Sequence, residues 1–345
     1  MNDINQERIC VQQILPHHRN ELNSYNHPSI SNQQRERLQA AFFTKKLWPK
    51  GAKIRIAFLG TGNQIPRTSL QALEAGGDTQ DQIDPLQKIS DKNSVQQMIK
   101  KIVRERIKPL VNLDIDFVEN PQQANVRISF DPDGGAWSLV GTDALHQKSG
   151  ATMNLGWFDV PTAMHEFGHM LGMIHEHQNP RGEKIKWNDA AVYKWAKATQ
   201  GWSEKMTEQN IIDTYDVNSI NGSNFDPLSI MLYFFPGSLT TNNKGTHQNL
   251  MYSGLDVEWI AKMYPRTDGE TPEQFFKSVY DSSLQESIEK SKEEADQLDE
   301  GSTPSSYGKI ILIVICIILG IAVVAGGFMW WRRNSKGGRY GRYGG

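Results

Sequence analysis

The feature that most constrains this chain is a group of three histidines on one short segment. Residues 165–176 read HEFGHMLGMIHE and contain the pattern HExxHxxGxxH. On an α-helix, residues four apart lie one turn along the same face, so His165 and His169 can bind one tetrahedral metal ion. Gly172 is placed to end the helix in a left-handed turn, after which the chain can bring His175 round as a third ligand. The sequence therefore predicts a helix and a turn built around one Zn²⁺ ion.

The residues around the motif support the same helix. Asp159 and Pro161 are typical of a helix start. Met164, Phe167 and Leu171 recur at helical spacing and predict an apolar stripe that packs the helix against a core. The histidines then lie on a neighbouring face of the helix.

Glu166, directly after the first histidine, indicates that the site carries out a reaction in addition to binding a metal ion. Three protein ligands leave the fourth position of zinc open for water, as in catalytic zinc sites. Zinc lowers the pKa of such a water towards about 7. Glu166 is placed to take a proton from this water and pass it to a leaving amine. The pattern indicates metal-assisted hydrolysis.

A second segment supports this interpretation. Residues 226–237 read DPLSIMLYFFPG, with Met231 near the middle. A helix with HExxHxxGxxH followed by a methionine-containing turn is the metzincin pattern. Alone, Met231 would be assigned to the core, but after the histidine helix it is predicted to form this turn.

Within the metzincins, the chain resembles the astacin family. The resemblance lies in Glu176 directly after the third histidine, in HEHQNPR at residues 175–181, and in the Ser-x-Met-x-Tyr sequence at residues 229–233. In the family this tyrosine is a fifth zinc ligand that swings away to stabilise the oxyanion, so the resemblance implies that role for Tyr233. It also implies supporting structural roles for Gly172, Glu176 and Met231.

Two other segments are similar to the family. GAWSLVG at residues 135–141 resembles a segment near the substrate-binding edge strand, and SGLDVEWIAKMYP at residues 253–265 resembles the closing C-terminal helix. The first similarity implies substrate contacts, weakly, at Trp137, Ser138, Leu139 and Val140.

The chain departs from the family in its cysteines. Astacins usually carry two disulfides in this domain, whereas the only cysteines here are Cys10 and Cys316. The chain therefore looks like a microbial or viral-type relative. It also departs from the family in lacking the FxGD propeptide motif.

Alternating apolar residues predict the sheet. Residues 53–59, 113–118 and 124–130 read as strands, and residues 135–141 and 152–155 as shorter ones. Residues 32–47 and 94–107 have helical character, with Ser94 near the start of the second. We expect an α/β (α+β) metzincin-type fold: a twisted mixed sheet, the active-site helix and a small C-terminal subdomain.

The C-terminal end predicts a membrane anchor. Residues 310–331 read IILIVICIILGIAVVAGGFMWW without a charged residue, and a helix of that length spans about 30 Å, the thickness of a bilayer core. Aromatic residues flank it, as at membrane interfaces. We expect one transmembrane helix with the lipid bilayer as its partner.

The orientation of this helix stays open. The basic tail at residues 332–345 predicts a cytoplasmic C-terminus, with the large domain outside. The absence of an N-terminal signal sequence favours the opposite, with the domain in the cytosol. The remaining organisation is a polar extension at residues 1–46, a catalytic domain at 47–266 and a charged stalk at 267–309.

Two further segments have other predicted roles. His177 is expected outside the ligand set, as an exposed histidine or one that supports the ligands. DPDGG at residues 131–135 is predicted to form a β-turn, because the EF-hand calcium pattern is absent.

The sequence thus predicts a membrane-anchored zinc endopeptidase that acts on proteins or peptides. With 37 basic and 39 acidic residues, nothing indicates nucleic-acid binding. One alternative is a catalytically silent, zinc-stabilised adhesion or structural protein, which would have no use for Glu166. Another is a matrix-type metzincin, which Glu176 and Tyr233 argue against.

Overall fold

The computed structural model describes residues 42–75, 83–180, 185–215, 220–221, 225–246 and 248–265. The predicted stalk, membrane helix and basic tail, and nearly all of the N-terminal extension, lie outside these ranges. Over the described ranges, no helix combines the length and the apolar character needed to span a bilayer.

A five-stranded mixed sheet carries the N-terminal part of the fold. Its strands are β2 (Lys53–Phe58), β3 (Asp114–Phe117), β4 (Val126–Ser129), β5 (Ala136–Ser138) and β6 (Met153–Leu155). They lie in the order β3-β2-β4-β6-β5, and all pairs are parallel except that between β5 and β6. The antiparallel strand β5 therefore forms one edge of the sheet.

The alternation in the sequence explains the sheet. In β2, Ile54 and Ile56 are fully buried while Lys53 and Arg55 are exposed. In the central strand β4 the residues on both faces are buried, as expected for a strand covered on both sides. The predicted strands at residues 53–59, 113–118, 124–130 and 152–155 are confirmed, each a little shorter than predicted. The strand predicted at 135–141 covers only Ala136–Ser138, and a 3-10 helix begins at Gly141.

Seven α-helices are described, together with two short π-helical segments and several 3-10 turns. The α-helices are α1 (Leu70–Ala75), α2 (Gln87–Ser90), α3 (Val95–Ile102), α4 (Val160–Met170), α5 (Asp189–Gln200), α6 (Glu204–Thr207) and α7 (Gly254–Met263). Helix α3 begins with a capping box between Ser94 and Gln97 and continues into the π-helical segment Val103–Ile107. The predicted helices at 94–107 and 253–265 are confirmed.

One prediction was wrong over the described residues. The helix expected at 32–47 is replaced, over residues 42–47, by strand β1 (Phe42–Phe43) and the 3-10 helix Thr44–Lys46. Strand β1 pairs antiparallel with β7 (Ile220–Asn221). The two phenylalanines are buried by this long-range pairing, which outweighs their local helical preference. Residues 32–41 lie outside the described ranges.

Two apolar cores organise these elements. The larger core joins the sheet to helices α3, α4 and α7. The smaller one lies in the C-terminal part and includes Val192, Ala196, Tyr233 and Phe235. Because α4 belongs to the larger core and Tyr233 to the smaller one, the histidine motif lies where the two meet.

Candidate metal centre

The helix that carries the first two histidines begins where the sequence predicts. The Asp159 side chain caps α4 by accepting a hydrogen bond from the Thr162 N–H at 2.7 Å, and Pro161 lies in the first turn. The predicted apolar stripe of Met164, Phe167 and Leu171 is buried in the larger core. The helix is thus fixed along its apolar side.

The helix ends at Met170, and Gly172 follows with a φ of 99°, in the left-handed region that favours glycine. The three carbonyl groups at this end, those of residues 170–172, each accept a hydrogen bond from a distant part of the chain. The donors are Trp48 Nε1 to Met170 at 2.8 Å, the Tyr264 hydroxyl to Leu171, and the Phe43 N–H to Gly172 at 2.9 Å. Residues from the N-terminal and the C-terminal parts of the described domain therefore stabilise the turn that leads to His175.

The three histidines of the motif converge. Their side chains are buried, and one ring nitrogen from each lies within 4.8 Å of the others. His165 Nδ1 lies 2.8 Å from the Ile230 carbonyl oxygen, and His169 Nδ1 lies 2.9 Å from that of Met173. Since a carbonyl oxygen can only accept, each Nδ1 carries the proton and each Nε2 offers a lone pair.

This arrangement fits a metal ion. The Nε2 atoms of His169 and His175 lie 3.0 Å apart, and the buried His165 Nε2 has no hydrogen-bond partner within the described ranges. Two buried ring nitrogens this close require a proton or a cation between them, and a cation bound by all three histidines would also satisfy His165 Nε2. Nitrogen donors on three sides, with a helix and a turn to hold them, are the ligand set that zinc prefers.

The protonation of the histidines suits this role. Burial lowers the pKa of His165 to about 4. Burial, followed by the neighbouring histidines, holds the pKa of His169 and that of His175 well below the ordinary value. The imidazoles are therefore neutral near pH 7, as metal ligands must be.

Two further predicted residues lie at this centre. The Tyr233 hydroxyl is 2.5 Å from His175 Nε2, and the Tyr233 ring stacks on His165 with centroids 5.7 Å apart. Glu166 is fully buried on α4 beside the first ligand. The structure thus brings together a metal site, a carboxylate and a phenol.

Met231 packs against helix α4, which carries His165 and His169. Its backbone carbonyl accepts a hydrogen bond from the Glu176 N–H at 3.0 Å. A Cβ added at Gly168 would lie 2.6 Å from Met231 Sδ. A side chain at Gly168, in the last turn of α4, would therefore displace the buried Met231 side chain.

Glu176 belongs to a group of buried carboxylates that the sequence analysis missed in part. Glu176 Oε1 accepts hydrogen bonds from Asn179 Nδ2 and from the Asp226 N–H, both at 2.9 Å. Burial, followed by the charge of Asp226, raises its pKa well above the ordinary value. Burial and Asp226 also raise the pKa of Asp256 to about 7. Both aspartates lie in segments that the sequence analysis singled out, residues 226–237 and 253–265, but only the fold shows that they lie close to Glu176.

His177 lies outside the group of three, as expected, but it is not exposed. It is buried, with Nε2 2.9 Å from the Asn210 carbonyl oxygen. Its ring stacks on His175, with centroids 5.3 Å apart. It packs behind a ligand and takes no place among the metal donors.

The weakly predicted substrate residues lie at the sheet edge. Trp137 is half-buried in β5, whereas Ser138, Leu139 and Val140 are buried. The side chains of the last three therefore face the interior. A peptide at this edge would meet mainly the backbone of β5.

The chain is similar to one protein family and to several solved structures. The model of the astacin peptidase family matches residues 88–264. A structure of myroilysin is 29% identical and covers 66% of this chain and 100% of that one, with a TM-score of 0.53. A second myroilysin structure is 25% identical and covers 77% and 94%, with a TM-score of 0.45.

A more distant match is high choriolytic enzyme 1, a hatching enzyme zinc-protease from the medaka fish Oryzias latipes. It is 16% identical and covers 66% of this chain and 98% of that one, with a TM-score of 0.35. No curated protein matches the chain.

Proposed function

The chain belongs to the astacin family of zinc peptidases. We propose that it is a membrane-anchored enzyme and that the residues of its metal centre cleave internal peptide bonds in proteins or peptides. The enzyme class, a zinc-dependent metalloendopeptidase, follows from the family. The observation that carries the residue roles is the convergence of three buried imidazoles, within 4.8 Å, on the point where the Tyr233 hydroxyl also lies.

His165, His169 and His175 hold the zinc ion. When bound, zinc acts as a Lewis acid that polarises the scissile carbonyl and lowers the pKa of a water molecule. Glu166 accepts a proton from the attacking water as the oxygen bonds to the carbonyl carbon. The same carboxyl then donates that proton to the amine nitrogen as the C–N bond breaks.

Tyr233 stabilises the charge that develops on the carbonyl oxygen. Its hydroxyl can donate a hydrogen bond to this oxygen, and a positioned donor of this kind acts most strongly in the transition state. The buried ring, stacked on His165, keeps the hydroxyl close to the reaction.

The main test uses the full chain and a broad peptide library. We expect hydrolysis that stops on chelation and returns with zinc. Glu166→Gln should retain zinc and lose nearly all turnover, while Glu119→Gln, a change at an exposed position, should behave as wild type. Bound zinc without turnover by the wild type would instead favour the catalytically silent alternative.

The substrate is proposed to extend along strand β5. In an antiparallel ladder, alternate residues direct their backbone groups to the partner strand. The Leu139 N–H bonds the Thr152 carbonyl in this ladder, so the N–H groups of Ala136 and Ser138 point away from β6. They can pair with an extended peptide by strand addition.

This proposal can be tested at Ser138. Ser138→Pro removes the outward N–H and should raise KM about tenfold, the loss expected for one backbone hydrogen bond. Ser138→Ala is the matched control and should leave KM nearly unchanged. Equal KM values for both variants would remove β5 from substrate binding.

The membrane anchor is proposed from the sequence alone. The uncharged run at residues 310–331 and the basic residues after it support a single C-terminal span. The full chain should stay in the membrane pellet after an alkaline carbonate wash, whereas a chain ending at residue 309 should be soluble. Release of the full chain by carbonate would contradict the anchor.

The side of the membrane is a separate question for the same full chain. The sequon Asn221-Gly-Ser223 provides a readout. Translation into microsomes should give a glycosidase-sensitive product if the catalytic domain faces the lumen. A product whose catalytic domain is digested by protease added outside the microsomes would place the domain in the cytosol.

A further inference from the structure

A buried aspartate on the C-terminal helix holds the turn that follows the metal motif. Asp256 lies in the first turn of α7 and is 3% exposed. One carboxylate oxygen accepts a hydrogen bond from the Ser229 hydroxyl at 2.7 Å. The other accepts from the Ile230 N–H at 2.9 Å and from the Ser253 N–H at 3.0 Å. The carboxylate therefore ties residues 229–230 to the start of α7.

The same turn contacts a metal ligand. The Ile230 carbonyl oxygen accepts the hydrogen bond from His165 Nδ1 at 2.8 Å. Ile230 is thus held on its N–H side by Asp256 and holds His165 through its carbonyl. This contact fixes both the tautomer and the ring orientation of His165, and partners of this kind set the affinity of a metal site.

We propose that Asp256 is a positioning residue for the zinc ligand His165, acting through the backbone of Ile230. The proposal rests on the proposed function, in which His165 binds zinc. It assigns to Asp256 an effect on metal affinity and ligand geometry in addition to its part in the fold.

The fold allows this effect to be separated from general destabilisation. Tyr252, which lies two residues before α7, also links the start of this helix to α4. Its hydroxyl donates a hydrogen bond to the Met164 carbonyl at 2.7 Å. Val257 and Ile260 of α7 are buried in the larger core. The helix therefore keeps several anchors when the Asp256 carboxylate is lost.

Asp226 provides a matched control in the same buried cluster. It is 2% exposed, and its carboxylate accepts hydrogen bonds from the Leu228 N–H at 3.0 Å and the Ser253 hydroxyl at 2.6 Å. Asp226→Asn and Asp256→Asn make the same chemical change at comparable burial. Only Asp256 bonds the N–H of the residue whose carbonyl contacts His165.

The test measures zinc dissociation constants on the full chain by competition with a chelator, together with the absorption spectrum of the cobalt-substituted protein. Asp256→Asn should weaken zinc binding about 10- to 100-fold and alter the cobalt spectrum. Asp226→Asn should stay within about threefold of wild type and keep its spectrum, even where both variants unfold at a lower temperature.

Two results would overturn the inference. One is unchanged zinc affinity and cobalt spectrum in Asp256→Asn, and the other is an equal loss of zinc by both variants. If Asp256→Asn folds only with metal, the zinc concentration that folds half of the chain gives the same comparison. Failure of the wild type to bind zinc would instead contradict the proposed function.

Discussion

At the scale of single residues, Tyr233 permits the clearest separation of binding from catalysis. Its hydroxyl lies beside His175 Nε2, yet three imidazoles remain to hold the metal without it. Tyr233→Phe should therefore lower kcat by about 100- to 1,000-fold, the cost of losing one oxyanion donor, with little change in bound zinc. Steady-state kinetics and metal analysis check this expectation.

The control for that variant is Tyr193→Phe. Tyr193 is a surface tyrosine whose hydroxyl donates to Glu208 at 2.9 Å. It should retain full activity. A Tyr233→Phe enzyme with wild-type kcat would exclude the phenol from the reaction.

His177 should make stability depend on pH. Burial lowers its pKa to about 4, so the histidine is neutral in the fold but takes up a proton in the unfolded chain below its ordinary pKa of 6.5. The stability that neutral His177 contributes is present above that value and is lost as the pH falls towards 4. Relative to His177→Gln, the wild type should lose about 2 kcal/mol between about pH 7.5 and about pH 5.

Urea unfolding at several pH values measures this difference. His146→Gln is the matched control, because His146 lies exposed on the surface. This substitution should change the unfolding free energy little, because the side chain is exposed. A constant difference between wild type and His177→Gln would show that His177 titrates alike in both states.

Some properties of individual residues follow from the sequence, and others follow only from the fold. The convergence of the three histidines was predictable, because imidazoles at this spacing are typical of a metal site, whereas the role of Glu166 stays a prediction. The carbonyl groups of Ile230 and Met173 were not, since any residue supplies a backbone oxygen. For the same reason the burial of His177 follows from its tertiary neighbours and not from its place beside the motif.

At the scale of elements, the C-terminal end of helix α4 depends on hydrogen bonds from distant parts of the chain. Trp48 Nε1 donates to the buried Met170 carbonyl. Trp48→Phe keeps most of the apolar contact but leaves that carbonyl without its donor. It should destabilise the domain by roughly 1–3 kcal/mol, as measured by denaturant unfolding.

Trp259→Phe is the matched control for this effect. Trp259 is equally buried, and its Nε1 has no hydrogen-bond partner in the described part of the chain. The substitution removes similar area without removing a hydrogen bond. Equal losses in both variants would show that packing, and not the bond to Met170, accounts for the effect of Trp48.

Some elements have a clear local sequence pattern, and others do not. Strand β2 alternates Ile54 and Ile56 with charged residues, and Asp159 and Pro161 mark the start of α4, so both were predictable. Strand β1 has only two residues, which is too short to show an alternating pattern. Its pairing with residues 220–221 is set by distant packing, which explains why a helix was wrongly expected there.

At the scale of the whole molecule, the three histidines and Tyr233 lie where the two cores meet. His165 and His169 extend from the helix of the larger core, whereas Tyr233 belongs to the smaller one. Removing zinc should lower the unfolding temperature, because zinc at 100 times its dissociation constant stabilises the fold by about 2.7 kcal/mol. Differential scanning calorimetry with and without chelator tests this.

The comparison includes two variants with opposite expectations. Glu166→Gln should show the same zinc-dependent shift as wild type, because it keeps every ligand. His169→Ala should show almost none. A chelator-insensitive wild type would mean that the two cores hold together without the metal.

The mixed sheet, the active-site helix and the closing helix were predictable at this scale, because local patterns and the resemblance agreed. The way in which residues 42–48 and Tyr264 meet at one end of α4 was not. Trp48 and Tyr264 are 216 positions apart, and their N–H to hydroxyl contact of 3.4 Å has no local signal.

That meeting point has a consequence for the order of folding. The carbonyl of Leu171 receives its donor from Tyr264, 93 positions later in the chain. Contacts of such separation form slowly, because the intervening loop must be closed first. During synthesis, the histidine motif leaves the ribosome long before Tyr233, Asp256 and Tyr264. If Tyr233 and Asp256 have the roles proposed for them, a growing chain that already carries all three ligands cannot yet cleave peptides, and activity requires the last residues of the domain.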